Sequence, residues 1–295
     1  MRNGTSVLVL IAGFCALAIL FDVVGCASTN RARDLSALGV VYQVKELDDP
    51  RPNRVHILRV DLSLGKAEPV VIIAADPDGD GPIDAALTNP LKLATNFPIL
   101  AFVNSNPWED IPDTNGERNR RWHEGQSVDI LGLAASGGQT RSQAQGGVSV
   151  WVDAQGRVLL SADGPGNTAV IEGTAGFQPI VREGAVVEPP GGDPHPRTAV
   201  GLDRSGSMMW LVVVDGRQEN YSEGMNFHEL GNLMQELGCW EAANMDGGGS
   251  SIMGLAGNDA SIQIMNSPSD RRLGIPRIRP LPSILAIRQK QATLE

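Results

Sequence analysis

The sequence predicts an α+β protein whose core is a mixed, largely antiparallel sheet built from hairpins, with helices on its flanks. Three observations predict this class. Strand-like apolar runs follow one another at short intervals, each bounded by turn residues. The 34 glycines and 19 prolines among 295 residues favour many turns over long helices. One segment, which ends near residue 237, carries a strong helical pattern.

The first predicted strands flank a short turn. Residues 55–62 alternate apolar and polar side chains, as a half-buried strand does, and residues 69–75 form a continuous apolar run. The intervening residues 63–66 fit a hairpin loop. Three further hairpins are predicted, from the paired segments 147–153 and 157–161, 179–182 and 185–187, and 199–202 and 207–214.

The predicted helix has recognisable ends. Asn226 can cap its first turn, and Glu229 can reach back to the cap in a capping box. Apolar residues recur at helical spacing up to Leu237, and Gly238 supplies a stop. These apolar side chains are interpreted as core. A short strand is then predicted over residues 239–245.

The N-terminus has the pattern of a secretory signal. Arg2 supplies a positive charge, and residues 7–21 form an apolar run. Small Gly25 precedes Cys26, which resembles the lipobox at which bacteria attach lipid to cysteine. The sequence therefore predicts a lipoprotein signal peptide at residues 1–25. The alternative is an uncleaved anchor, because the apolar run is nearly long enough to span a bilayer.

The remaining chain is predicted to consist of a lipidated tether at residues 26–38 and one domain at residues 39–290. Because Ala27 and Ser28 lack the aspartate that often retains lipoproteins in the inner membrane, we expect a lipid-anchored protein of the cell envelope. The expected place is the bacterial outer membrane, facing the periplasm or the exterior. Cys239 is left as the one cysteine of the domain, so no internal disulfide is expected.

The net charge of −10 argues against a nucleic-acid partner, because phosphate-backbone binding needs a basic face. One phosphate can still bind to an acidic protein where peptide N–H groups and an arginine converge. The stretch 118–123 is locally basic. It is interpreted as solvated surface, with the border of a site for an anionic substrate as the alternative.

Three consecutive glycines follow an aspartate in the stretch Asp246–Ser251. Glycines cost backbone entropy and bury no side chain. Their use is close approach, with peptide N–H groups free to bind an anion. A tight turn alone would give the same pattern, so the order of the neighbouring motifs decides the interpretation.

Three blocks occur in a fixed order: Arg197–Gly201, Leu211–Arg217 and, after the predicted helix, Asn244–Ser251. This combination resembles the phosphodiester glycosidase family, to which the enzyme that uncovers mannose 6-phosphate belongs. In that family the blocks read R-T-A-x-G, a strand ending in D-G-R, and N-x-D-G-G-G-S-S. The family's N-G-G-F-F block appears here only at residues 104–108, with Asn104 retained.

The resemblance implies an exported hydrolase that cleaves the glycosidic bond of a sugar-1-phosphodiester in envelope or extracellular glycans. A phosphate monoester is a good leaving group, so charge stabilisation matters more than proton donation. Arg197 would pair with the phosphate oxygens, and a carboxylate would stabilise the anomeric carbon or activate water. The resemblance implies catalytic and substrate-binding roles for Asp246, Asp215, Arg197, Asn104, Gly247, Gly248, Gly249 and Ser250.

Each role has a structural alternative. Asp246 is the first candidate for the carboxylate, but it can instead brace the glycine turn. Asp215, the second candidate, can simply end a strand. Asn104 can orient sugar hydroxyls or close a turn, and Arg197 can be a surface strand residue.

Two rival functions stay open. One is a non-catalytic exported module that binds anionic glycans, which the altered block at residues 104–108 favours. The other is a structural envelope lipoprotein. The four histidines lack zinc-type spacing, so no metal site is predicted. No cofactor is required, although a divalent cation beside Asp246 is compatible with the sequence.

Overall fold

Strands make up most of the regular structure. The computed structural model describes Met1 and residues 33–79, 81–113, 115–259 and 261–291. The α-helices are α1 (Pro90–Thr95) and α2 (Phe227–Glu236). The strands are β1 (Val40–Leu47), β2 (Asn53–Asp61), β3 (Ala67–Ile73), β4 (Ala85–Ala86), β5 (Ile99–Asn104), β6 (Trp108–Asp110), β7 (Ser127–Ile130), β8 (Ala134–Ser136), β9 (Gln139–Ser142), β10 (Val148–Asp153), β11 (Val158–Ser161), β12 (Val170–Gly176), β13 (Gln178–Arg182), β14 (Ala185–Val186), β15 (Arg197–Leu202), β16 (Met208–Val214), β17 (Glu241–Asn244), β18 (Met253–Ala256), β19 (Ile262–Ile264), β20 (Arg271–Arg272), β21 (Ile275–Pro276) and β22 (Ser283–Gln289).

The predicted α+β class is wrong, because the protein is mostly β-sheet. Within the described ranges there are two α-helices, of six and ten residues, and every pair of neighbouring strands is antiparallel rather than mixed. The physical reason lies in the continuous apolar runs. Strands such as β5 are buried on both faces, and other sheets provide much of the cover that flanking helices were expected to give.

Two larger sheets enclose the main core. A seven-stranded sheet has the order β1-β2-β16-β15-β17-β13-β14, and a five-stranded sheet has the order β19-β18-β5-β22-β3. Apolar side chains from both sheets, joined by β10 and β11, form one cluster between them. The outer face of the seven-stranded sheet packs on α2, and that of the five-stranded sheet packs on α1 and on β4 and β7. Burial on two faces stabilises the central strands.

The other sheets are smaller. A second five-stranded sheet has the order β11-β10-β12-β8-β9, a three-stranded one has the order β4-β7-β6, and β20 pairs with β21.

The local predictions had mixed outcomes. The helix is confirmed, with a complete capping box between Asn226 and Glu229. Three hairpins are confirmed: β10 with β11, β13 with β14, and β15 with β16. The first hairpin is wrong. β2 pairs with β1 and β16, whereas β3 pairs with β22, so the short turn between them carries the chain from one sheet to the other.

The chain divides into two units, Met1–Asn30 and Arg31–Glu295, and the elements above belong to the second. The predicted signal peptide, the lipidation site Cys26 and residues 26–32 of the predicted tether lie outside the described residues and stay predictions. No helix within the described part combines the length and the apolar character needed to cross a bilayer.

Candidate active site

The three sequence blocks meet at one end of the seven-stranded sheet. β15 begins at Arg197, and its neighbour β16 ends just before Asp215. The antiparallel register places Arg197 opposite Val214. β17, on the other side of β15, ends two residues before Asp246. Antiparallel pairing thus brings Arg197, Asp215 and the Asp246 loop together from distant parts of the sequence.

Each glycine of the loop is required by a different neighbour. A Cβ on Gly247 would lie 2.9 Å from the carbonyl oxygen of Pro196. Gly248 has a left-handed backbone, with φ of 62°, and both terminal guanidinium nitrogens of Arg217 lie 3.3 Å from where its Cβ would be. A Cβ on Gly249 would overlap the side chains of Asp270 and Arg279. The three glycines therefore allow charged groups and backbone to pack directly on the loop.

The loop's own amides are mostly occupied. The Gly248 N–H donates to Pro196 O at 2.8 Å, and the Ser250 N–H donates to Gly247 O at 3.2 Å. The Gly247 N–H bonds the carboxylate of Asp246. Few of the loop's N–H groups are therefore free for the anion cradle that the sequence predicted.

Asp246 is half-buried and lies within the loop. Burial raises the pKa of its carboxyl to about 6, although the Ser250 hydroxyl and the charge of Arg279 act in the opposite direction. A carboxyl with this pKa changes charge just below neutral pH. It is therefore able to accept or hold a proton under ordinary conditions.

An ion pair that the sequence analysis missed adjoins Asp246. Arg279 forms a bidentate ion pair with Asp270, with two nitrogen–oxygen distances of 2.8 Å. Its third donor reaches Ser250 Oγ at 3.2 Å, and Ser250 in turn bonds Asp246. No spacing or periodicity in the sequence marks Arg279 or Asp270. They reach the site because β22, which follows Arg279, returns to the five-stranded sheet.

Two further arginines lie against the same loop. The Cδ of Arg197 lies 3.9 Å from where a Cβ on Gly247 would be, so Arg197 and the glycine loop are neighbours. Its Nε–H donates to Met225 O at 2.9 Å, and its guanidinium stacks 4.0 Å from the Phe227 ring centroid. Burial, and then the charge of Arg217, lowers the pKa of Arg197 to about 10.

Arg217 completes this cationic group. It is exposed over Gly248, has a left-handed backbone with φ of 58°, and lies 3.5 Å from the Nδ1 of His195. Burial, and then Arg217 and Arg197, lowers the pKa of His195. Within the described residues neither arginine is paired with a carboxylate. Two uncompensated guanidinium groups beside one loop are suited to a bound anion. Arg217 was visible in the D-G-R block but was not selected.

Asp215 has a different environment. Its side chain is fully enclosed, and each carboxylate oxygen has two partners. The Oδ1 accepts from the Asn266 amide at 3.1 Å and from the Ser267 N–H at 2.9 Å. The Oδ2 accepts from the Tyr221 hydroxyl at 3.0 Å and faces His56 Nε2 at 3.2 Å. Protein groups thus fill the hydrogen-bonding capacity of Asp215, and Asn266, which also donates to Ser251 O at 3.1 Å, links it to the end of the glycine loop.

Asn104 is also turned inward. Its buried amide donates to the carbonyl oxygen of Asp246 at 2.7 Å. Its Oδ1 accepts from the Thr198 hydroxyl at 2.7 Å and from the Ile252 N–H at 3.1 Å. Asn104 therefore ties the glycine loop to β15 and to the start of β18.

A large cavity lies elsewhere. Its volume is about 640 Å³, and it lies at the opposite end of the seven-stranded sheet, where Leu202, Asp203 and Trp240 are among its lining residues. The surroundings of Asp246 are different, because charged side chains there pack around a tight loop. No cluster of three or more metal-ligating His, Cys, Asp or Glu side chains occurs in the part of the chain that the structure describes.

Known proteins share this sequence pattern and fold. The family model for phosphodiester glycosidases matches residues 114–288. A sequence search of curated proteins finds no match. Among solved structures, the catalytic domain of zebrafish N-acetylglucosamine-1-phosphodiester alpha-N-acetylglucosaminidase superposes with a TM-score of 0.62 and 20% identity, over 85% of this chain and 83% of that one.

Two other solved structures share the fold. A hypothetical protein from Synechocystis gives a TM-score of 0.53 and 13% identity, over 84% of this chain and 62% of that chain. A Burkholderia pseudomallei protein named as an exported protein gives a TM-score of 0.52 and 16% identity, over 80% of this chain and 74% of that chain. At these identities the likeness concerns the fold.

Proposed function

Because the chain belongs to the phosphodiester glycosidase family, we propose that it hydrolyses the bond between the anomeric carbon of a sugar and a phosphodiester. One observation carries the proposal. Asp246, whose pKa is raised to about 6, lies in the glycine loop, and two arginines without a carboxylate partner in the described part of the chain pack against the same loop. Such a site offers an anion subsite next to a group that can accept a proton.

In the proposed reaction, Arg217 binds the phosphate oxygens beside Gly248. The charge of buried Arg197, which lies against Gly247, adds to the positive electrostatic potential at the phosphate. Ionised Asp246 takes a proton from the water that attacks the anomeric carbon. The bond between this carbon and the phosphate oxygen breaks, and its electron pair leaves with the phosphate monoester. The two arginines stabilise the charge that develops on this leaving group.

We assign supporting roles to the other predicted residues. Asp215 anchors residues 266 and 267, and so positions the segment that brings Asp270 to the loop. Asn104 fixes the carbonyl of Asp246. Ser250 connects Arg279 to Asp246. In this assignment Asp246 is the one catalytic carboxylate, and Gly247, Gly248 and Gly249 provide clearance rather than an amide cradle.

The proposal includes export. The N-terminal pattern supports a lipid on Cys26, and the Burkholderia pseudomallei protein of the same fold is itself named as exported. We propose a place at the bacterial outer membrane, facing the periplasm or the exterior, with envelope or extracellular glycans as the source of substrate.

A non-catalytic module that binds anionic glycans is the second candidate. The block at residues 104–108 departs from the family pattern, and its first three side chains are buried in the protein. Asn106 accepts from the Thr174 hydroxyl at 2.7 Å, and Ser105 donates to Ser283 at 2.8 Å. These side chains are therefore not presented to a sugar.

Turnover separates the two candidates. The purified chain is incubated with the methyl phosphodiester of N-acetylglucosamine 1-phosphate, the class of linkage named for the zebrafish protein. Release of free sugar that is lost in Asp246→Asn and kept in Asp163→Asn, an exposed carboxylate after β11, supports the hydrolase. Saturable binding of the ester by the parent chain without release of sugar supports the module.

A further inference from the structure

The hairpin formed by β20 and β21 presents an apolar tip to solvent. Leu273 is 96% exposed and Ile275 is 69% exposed. The two turn residues, Leu273 and Gly274, both have left-handed backbones, with φ of 52° and 79°. A turn of this kind favours Asn-Gly, and a leucine in it is strained. Leu273 therefore costs backbone energy at a position where it buries nothing within the protein.

Three arginines belong to the hairpin and the residue after it, and none of them has a carboxylate partner among the residues that the structure describes. Arg271 bonds the Gln218 side chain, Arg277 bonds the Trp122 carbonyl, and Arg272 has no partner within the described chain. The contact with Trp122 joins the hairpin to the basic stretch 118–123 that the sequence analysis singled out. Within that stretch Arg118 and Arg120 pair with Glu109 and Asp110. The local positive charge, in a chain with a net charge of −10, therefore comes mainly from the arginines of the hairpin segment.

We propose that this hairpin is a membrane-contact element, which inserts Leu273 and Ile275 into the surface of an anionic phospholipid bilayer. Arg271, Arg272 and Arg277 would bind the lipid phosphates around the inserted tip. Apolar tips ringed by basic residues bind anionic membrane surfaces by these two contributions together. Two aliphatic side chains offer far less area than a stable protein interface needs.

The position of the hairpin gives the contact a consequence. The same segment supplies Asp270 and Arg279 to the glycine loop, immediately before β20 and shortly after β21. A docked hairpin would hold the loop near the bilayer surface. The inference does not depend on hydrolysis, because its test is made without substrate.

Depth-dependent quenching tests the proposal on the full chain. Leu273→Trp is bound to vesicles of brominated phosphatidylcholine, with and without phosphatidylglycerol. Leu64→Trp is the matched control, because Leu64 is 49% exposed in the turn after β2. This turn lies at the end of the seven-stranded sheet away from Asp215 and the glycine loop. Both variants carry the same N-terminal segment, so capture by that segment affects them equally.

The added fluorescence of Leu273→Trp should fall about twofold in vesicles with phosphatidylglycerol and stay near the control without it. Arg272→Gln with Arg277→Gln should remove most of that quenching. Equal quenching at positions 273 and 64, no quenching at 273, or quenching independent of phosphatidylglycerol would overturn the proposal. Binding of dextran sulfate that needs the arginines, with position 273 unquenched, would assign the surface to an anionic glycan instead.

Discussion

Asp215 and Asp246 follow neighbouring parts of one sheet, yet their environments differ. Asp215 is enclosed, and four protein groups occupy its two oxygens. Asp246 is half-buried, and its pKa is raised to about 6. A carboxyl at a strand end is suited to reaction when burial raises its pKa and protein groups leave part of its hydrogen-bonding capacity open. Hydrogen bonding that fills its capacity makes it a structural brace.

The largest expected effect concerns activity. Asp246→Asn should lower kcat for hydrolysis of a sugar 1-phosphodiester about 10³-fold, because amide cannot take the proton from water. Asp215→Asn, measured per folded molecule, should stay within about threefold of the parent, since Asp215 does not touch substrate in our proposal. Steady-state kinetics on both variants measures the difference. Equal losses would end the distinction between the two carboxylates.

The next effect concerns folding. Asp215→Asn should lower the free energy of unfolding by about 3 kcal/mol, because an amide nitrogen would face buried donors that the carboxylate now satisfies. Urea denaturation followed by fluorescence measures this change. An unchanged midpoint would show that the hydrogen bonds around Asp215 do not hold residues 266 and 267.

Asp246→Asn should instead raise the free energy of unfolding at neutral pH. The folded pKa is about 6 against an ordinary value of 3.8, so the folded state binds the proton more tightly than the unfolded state. The contribution of Asp246 to stability is therefore favourable below pH 3.8 and is lost as the pH rises through 6. At pH 7 the asparagine variant should be more stable by about 2–3 kcal/mol.

That gain should disappear below about pH 4, where Asp246 is protonated in both states. Denaturation of the variant and the parent at both pH values tests the sign. A variant that is less stable than the parent at pH 7 would mean that the ionised carboxylate is fully compensated, as at Asp215.

The smallest effect concerns two glycines with left-handed backbones, of which only Gly248 lies against another side chain. Gly248→Ala and Gly65→Ala both force alanine into a left-handed backbone, with φ of 62° and 61°, and each should cost about 1 kcal/mol. The Cβ on residue 65 meets nothing within 4 Å, whereas that on residue 248 presses on Arg217. Only Gly248→Ala should therefore also raise KM. Kinetics alongside thermal denaturation separates the two, and an equal KM in both variants would remove Arg217 from the anion subsite.

The sequence predicted what is local. The capping box of α2 and three hairpins followed from short patterns. The neighbouring positions of Arg197, Gly247 and Asp246 were expected only from the resemblance to a known family, because long-range strand pairing brings them together. The turn at residues 63–66 misled, because a hairpin loop and a crossing between two sheets can have the same length and composition. The apolar run of β5 did not reveal whether helices or sheets would cover it.

The missed residues share a physical reason. Arg279 and Asp270 come from an irregular segment, and they act on the loop only because β22 pairs with β5 far away in the sequence. Contacts created by long-range pairing leave no local periodicity. Burial of Asp215 and Asn104 was likewise invisible, since their type and strand-end position suit both a site and a brace.

In the proposed reaction Asp246 acts through a carboxyl whose pKa is raised. The pH dependence of kcat/KM for sugar 1-phosphodiester hydrolysis tests it most directly, because this parameter reports the ionisation of the free enzyme. We predict that the rate falls on the acid side with an apparent pKa of about 6, the value at which Asp246 loses its charge. A kcat/KM that stays constant from pH 7 down to about 4 would contradict this role for Asp246, because only an aspartate with an ordinary pKa near 4 would stay ionised over that range.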